Sequence, residues 1–153
     1  AALFAAACEV GAVVAEQDAD HQAALKSYGM NLGIAFQLVD DALDYSAKQA
    51  ELGKAVGDDF REGKITLPLL LAYRRGDEQE RAFWARVIAE LDQSEGDWAE
   101  ALQLMTKHDT LNATLERAQH YVNMAKDDLA IFADSPVKQA MMDVADYCVV
   151  RVS

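Results

Sequence analysis

The stretch LKSYGMNLGIAFQLVDDALDY, Leu25 to Tyr45, decides the fold. Successive residues of an α-helix turn by about 100°, so side chains three and four apart share a face. Leu25, Tyr28, Leu32, Phe36, Val39 and Leu43 recur at those steps and form one apolar seam. Gln37, Asp40, Asp41 and Asp44 gather on a second arc, about 100° wide. The spacing predicts a long helix over residues 20 to 47, with an apolar seam and three carboxylates converging near its end.

Outward from this helix the pattern stays helical. Ala, Leu, Glu, Gln, Lys and Met dominate, apolar residues follow helical rather than alternating spacing, and no stretch reads as a strand. Further helices are expected over about 1 to 17, 65 to 75, 77 to 91, 96 to 107, 110 to 132 and 135 to 151. A polar segment, KQAELGKAVGDDFREG at 48 to 63, separates the second helix from the third and is long enough to point to function. Asp77 with Glu80 three residues on resembles a capping box, and Ser135 before Pro136 reads as an N-cap with proline at the first helical position. Gly76 is a stop signal, and Pro68 fits a first turn. The fold class is all-α, a helical bundle.

At 153 residues with 52% hydrophobic composition, the chain can bury one domain's core. Its 26 acidic and 14 basic residues give a formal charge of −12, which argues against a nucleic-acid partner or an anionic membrane and suits cation binding. No apolar run approaches the ~20 residues of a spanning helix. Cys8 and Cys148 lie in apolar surroundings without metal-ligand spacing, so free thiols and a reducing, cytoplasmic setting are expected. His21, His108 and His120 are scattered over separate helices and receive no role. The run AALFAAACEVGAVVAE at the amino terminus reads as a helix already under way, without a capping residue, so the chain is expected to be a fragment.

The carboxylates carry the chemistry. Acidic residues four apart repel by about 0.2–0.5 kcal/mol on an isolated helix. Water tolerates that cheaply, so a solvated face is the default for a stray D-D-x-x-D in an acidic protein. Here Asp40, Asp41 and Asp44 follow the apolar run GIAFQLV and precede a segment carrying Lys54, Arg61 and Lys64. Magnesium prefers hard oxygens, commonly one or two carboxylates with phosphate oxygens and water, and lysines neutralise remaining phosphate charge. A di-iron bundle is disfavoured without Glu-x-x-His, and the EF-hand spacing is absent.

GIAFQLVDDALDY (Gly33 to Tyr45) resembles the second aspartate-rich motif of the trans-isoprenyl diphosphate synthases, or polyprenyl synthetases. GKAVGDDFREGKITLPLLLA (Gly53 to Ala72) is similar to that family's following loop and helix, and LFAAACEVGA (Leu3 to Ala12) to its preceding helix. The resemblance implies an isoprenoid-synthase-type bundle, with residues 1–153 the carboxyl-terminal part of a single domain. Asp40, Asp41 and Asp44 would bind Mg2+, Asp40 foremost, and Lys54 and Lys64 would contact diphosphate. Gln37 would orient substrate, while Phe36 would either shield a carbocation or pack in the core.

The implied reaction joins an allylic diphosphate to isopentenyl diphosphate, and G-D-D-F-R-E-G-K-I-T-L-P is more like the long-chain octaprenyl and decaprenyl enzymes than the farnesyl type. A homodimer is the family expectation. The family's first aspartate-rich motif and isopentenyl-binding basic residues are expected upstream, leaving the isolated piece with little activity and with apolar faces on its first two helices. A terpene-cyclase-like enzyme and a noncatalytic helical partner subunit are the competing readings.

Overall fold

The computed structural model describes residues 1–46 and 56–150, which fall into two compact units. The described residues are mainly helical, with no strand among them. Residues 1–39 and 116–153 make the first unit, and 40–115 the second.

In the first unit, α1 (Ala2–Val14) lies against α2 (Ala19–Leu43) through backbone contact. A Cβ on Gly29 would collide with the Phe4 carbonyl and stand 2.9 Å from Ala5 Cα, and one on Gly33 would stand 2.6 Å from Ala1 Cα. Glycine is therefore required here by proximity. Tyr28, Leu32 and Ala35 of α2 pack with Val122, Ala125 and Leu129 and with Ala145 and Cys148, joined by the half-buried Phe4 and Cys8. Those partners belong to α7 (Thr110–Asp128), its closing 3-10 turn (Leu129–Ile131) and α8 (Pro136–Val150). Two buried polar groups of this unit are paired: Tyr28 Oη donates to the Met141 carbonyl at 2.9 Å, and Asn31 Nδ2 to Asp128 Oδ2 at 2.8 Å.

The predicted seam on α2 is largely inside, with Tyr28, Leu32, Val39 and Leu43 buried. Phe36 remains 36% exposed, its ring 5.7 Å from that of Phe4. Along α1, Leu3, Val10, Val13 and Val14 stand exposed. Cys8 and Cys148 are free thiols. Ser135 caps α8, its Oγ accepting the Lys138 N–H at 3.1 Å.

The second unit is built on aromatic rings. Tyr45, Phe60, Phe83 and Trp84 form its core with Leu69, Ala72, Val87, Ile88, Ala101 and Met105. Trp98 stacks on Tyr45 at 5.7 Å and lies 5.6 Å from Phe60. Its helices are the single turn α3 (Asp58–Arg61), α4 (Leu67–Arg75), α5 (Glu78–Trp84) and α6 (Asp97–Lys107).

Pro68 sits in the first turn of α4, and Asp77 and Glu80 form the reciprocal capping box that opens α5, each bond 3.0 Å. Glu80 also pairs with His108 at 2.8 Å and with Lys107, fastening the start of α5 to the end of α6. Arg86 donates to both oxygens of Asp97, at 3.0 and 2.8 Å, and Asp97 also accepts from Ser94.

Several boundaries differ from the periodicity: the first helix, read to 17, ends at Val14, and the one read over 110 to 132 closes as a 3-10 turn after Asp128. The helix read over 77 to 91 becomes α5 followed by a π-helical turn, Ala85–Ala89. Val87 and Ile88 are both buried within this turn. The second helix ends at Leu43 rather than 47, because the Gly57 N–H donates to the Asp44 carbonyl at 2.9 Å and draws the chain aside. Finally, α3 forms inside the stretch read as a polar loop, where Phe60 is only 2% exposed and anchors it.

Candidate functional site

The end of α2 carries Asp40 exposed, with Asp41 and Asp44 half-buried. Asp44 lies just past the helix, yet its N–H still donates to the Asp40 carbonyl at 3.1 Å, which preserves the helical spacing. Its carboxylate Oδ2 accepts the Asp59 N–H at 3.0 Å and so pins α3. Gly57, at φ +78°, makes the turn into α3 directly over Trp98, whose ring would meet any added Cβ at 2.8 Å. Only glycine satisfies both the left-handed backbone and the ring beneath it.

These contacts produce a cavity of about 290 Å³ lined by Asp40, Leu43, Asp44, Asp58, Asp59, Glu62 and Lys64. The Lys64 ammonium lies 2.9 Å from Asp59 Oδ1 and 2.8 Å from Glu62 Oε2. Those two carboxylates, Glu62 first, hold it well above the usual lysine range. Burial pushes the Asp44 carboxyl up, with the Asp59 and Asp58 charges adding to the rise and the donated N–H groups opposing it. Arg61 is turned to its own helix, pairing with Asp58 at 2.7 Å and with the Val56 carbonyl.

Of the residues singled out in the sequence, Asp40, Asp44 and Lys64 come together at this cavity. Asp41 is not among the residues lining it. Phe36 and Gln37 lie earlier on α2, in the first unit, and both are exposed. Lys54 falls outside the described residues.

Asp58, Asp59 and Glu62 were not assigned from the sequence. The signal was present: D-D-x-x-E at 58 to 62 repeats the spacing of D-D-x-x-D at 40 to 44 and ends two residues before Lys64.

Among the described residues no group of three His, Cys, Asp or Glu side chains is placed to hold a metal by itself. The donor set nevertheless fits magnesium. Carboxylate oxygens of Asp40 and Asp44 are hard ligands, and an Asp44 charge disfavoured by burial and by like neighbours is relieved by a cation. Two carboxylates with diphosphate oxygens and water complete a magnesium shell without a third protein ligand.

Against known proteins, residues 1–105 match the family model for polyprenyl synthetase. Octaprenyl diphosphate synthase of Haemophilus influenzae is 43% identical over 145 residues, covering 95% of this chain and 44% of that protein. The crystal structure of a decaprenyl diphosphate synthase from Rhodobacter capsulatus has 51% identity and a TM-score of 0.92, covering 99% of this chain and 46% of that one. That of a polyprenyl synthase from Caulobacter crescentus, complexed with calcium and isoprenyl diphosphate, has 48% identity and a TM-score of 0.90, covering 99% and 46%. The chain belongs to the polyprenyl synthetase family and has its all-helical fold. It spans about half the length of the curated relatives it matches.

Proposed function

We propose that this chain is the carboxyl-terminal part of a trans-polyprenyl diphosphate synthase domain that elongates an allylic diphosphate with isopentenyl diphosphate. The observation that carries this reading is the acidic cavity shared by Asp40, Asp44 and Lys64, at the positions of the family's second aspartate-rich motif and lysine.

In this reading Asp40 and Asp44 hold Mg2+, with Asp41 supporting the same cluster from α2. When bound, magnesium neutralises charge gathering on the departing diphosphate. Lys64 supplies a fixed positive charge to the same oxygens, and Lys54 acts beside it. Gln37 orients the substrate, and Phe36 offers a ring face to the allylic cation. The allylic C–O bond breaks with its electron pair going to diphosphate, the isopentenyl double bond attacks the cation, and a proton is released.

A reducing cytoplasmic setting, supported by the two free thiols, and a homodimer belong to the same proposal. No helix among the described residues is long and apolar enough to cross a membrane. A long-chain product is supported by the octaprenyl and decaprenyl names of similar proteins. Neither the terpene-cyclase reading nor the noncatalytic-subunit reading has an observation of its own in its favour.

The test is incorporation of labelled isopentenyl diphosphate by the intact protein, with products separated by reverse-phase chromatography. Magnesium-dependent long-chain products are expected, and Asp40→Ala should lower kcat/KM by about 10²–10³-fold. Unchanged activity in that variant would remove the site assignment. A C15 product would remove the chain-length assignment.

A further inference from the structure

We propose that Asp59 is a positioning residue of this cavity, its carboxylate orienting the Lys64 ammonium while its backbone N–H orients the Asp44 carboxylate. The inference rests on the reading of the cavity as a magnesium and diphosphate site.

Lysine's charge rides on a flexible four-carbon stem, and the Lys64 side chain is 56% exposed, so its position is set by what it is paired with. It has two carboxylate partners of different character. Glu62, at 2.8 Å, is itself 61% exposed on a rotatable side chain. Asp59, at 2.9 Å, is only 18% exposed and has the shorter side chain.

The backbone behind Asp59 is held on three sides. Phe60 is buried beside it, Gly57 turns over Trp98 two residues earlier, and the Lys64 N–H donates to the Asp59 carbonyl at 2.8 Å. Asp59 therefore meets Lys64 at both its backbone and its ammonium. Its own N–H reaches Asp44 Oδ2 at 3.0 Å, so one residue links an anionic and a cationic member of the site. Asp59 touches neither reacting atom in this scheme and acts through both neighbours.

Substitution separates the two functions, since Asp59→Asn keeps the backbone N–H to Asp44 and the side-chain shape while removing the charge opposite Lys64. Asp59→Ala removes the side-chain contact with the Lys64 ammonium. The probe is inorganic pyrophosphate with Mg2+, titrated calorimetrically into the intact protein.

Asp59→Ala and Lys64→Ala should each weaken pyrophosphate binding by roughly tenfold, with Asp59→Asn in between. The double variant should bind no more weakly than Lys64→Ala alone, because two residues acting through one contact are non-additive. A merely structural role for Asp59 would instead weaken the Lys64→Ala protein further and lower the melting temperature of both proteins equally.

Unchanged or tighter binding in the Asp59 variants, additive losses, or no magnesium-dependent binding by the wild-type protein would overturn the inference. The expected pattern in a protein that transfers no prenyl group would leave the inference standing and remove the proposed activity. Intact prenyl transfer with additive losses would remove the inference alone.

Discussion

The first unit is held where helices touch through small residues, whereas the second is held by rings packed under a charged rim. In the first, Gly29 and Gly33 set α1 against α2 by backbone contact. In the second, Tyr45 and Phe60 are the chain neighbours of Asp44 and Asp59, and Trp98 packs against both rings. The difference teaches where stability and chemistry share residues. A change in the ring cluster reaches the carboxylates through one peptide bond, whereas the small-residue contact carries no site residue of the cavity.

The largest effect should come from Phe60→Ala, which empties a fully packed position and should cost about 3–5 kcal/mol in denaturant unfolding. The same variant should lose magnesium-dependent pyrophosphate affinity, since α3 has no other buried anchor. Gly29→Ala comes next. Its Cβ meets backbone that must shift, so a loss of about 1–3 kcal/mol is expected, with pyrophosphate affinity retained in the remaining folded protein. A stable Phe60→Ala protein with normal affinity, or a Gly29→Ala protein that folds normally but cannot bind, would break the comparison.

The smallest effect belongs to the polar rim of the second unit and shows itself on acidification. Lys107 first and His108 second hold the Glu80 carboxyl at about 2, below its ordinary 4.5. A depressed carboxyl contributes stability that is full above the unfolded value and drains as pH falls through the folded one. Melting temperature of the wild-type protein should therefore fall between pH 4.5 and about 2, and Glu80→Gln should lack that component. Parallel acid profiles for the two proteins would show that Glu80 contributes nothing there.

Much of the fold was legible because it depends on local rules. The capping box at Asp77, the cap at Ser135 and the proline in the first turn of α4 each lie within a few residues of what they control. The departures depend on residues far apart in sequence. Trp98 lies about forty residues after Gly57 and supports its turn, which no helical period displays. The π-helical turn at Ala85–Ala89 departs from the 3.6-residue period, so a helical pattern does not reveal it.

At the site, the sharing of one side of α2 by Asp40 and Asp44 was legible from spacing, and Lys64 from its place after the acidic run, while Lys54 lies outside the described residues. Asp59 was not legible, because its importance comes from the fold-back of α3 onto Asp44. The repeated acidic spacing at 58 to 62 supplied a hint, but one helical turn is too short to show an amphipathic pattern.

The division of the chain also bears on the order in which it becomes structured as it leaves the ribosome. Residues 40–115 are contiguous, so every partner in the second unit is available once that stretch has emerged. The first unit closes only when residues beyond 116 arrive, and its hydrogen bond from Tyr28 to Met141 spans 113 positions. Synthesis at about 5–20 residues per second makes that wait several seconds, during which Tyr28, Leu32 and Ala35 lack their later partners. Apolar residues of α2 just ahead of the acidic ones thus meet α7 and α8 only after those helices have been made.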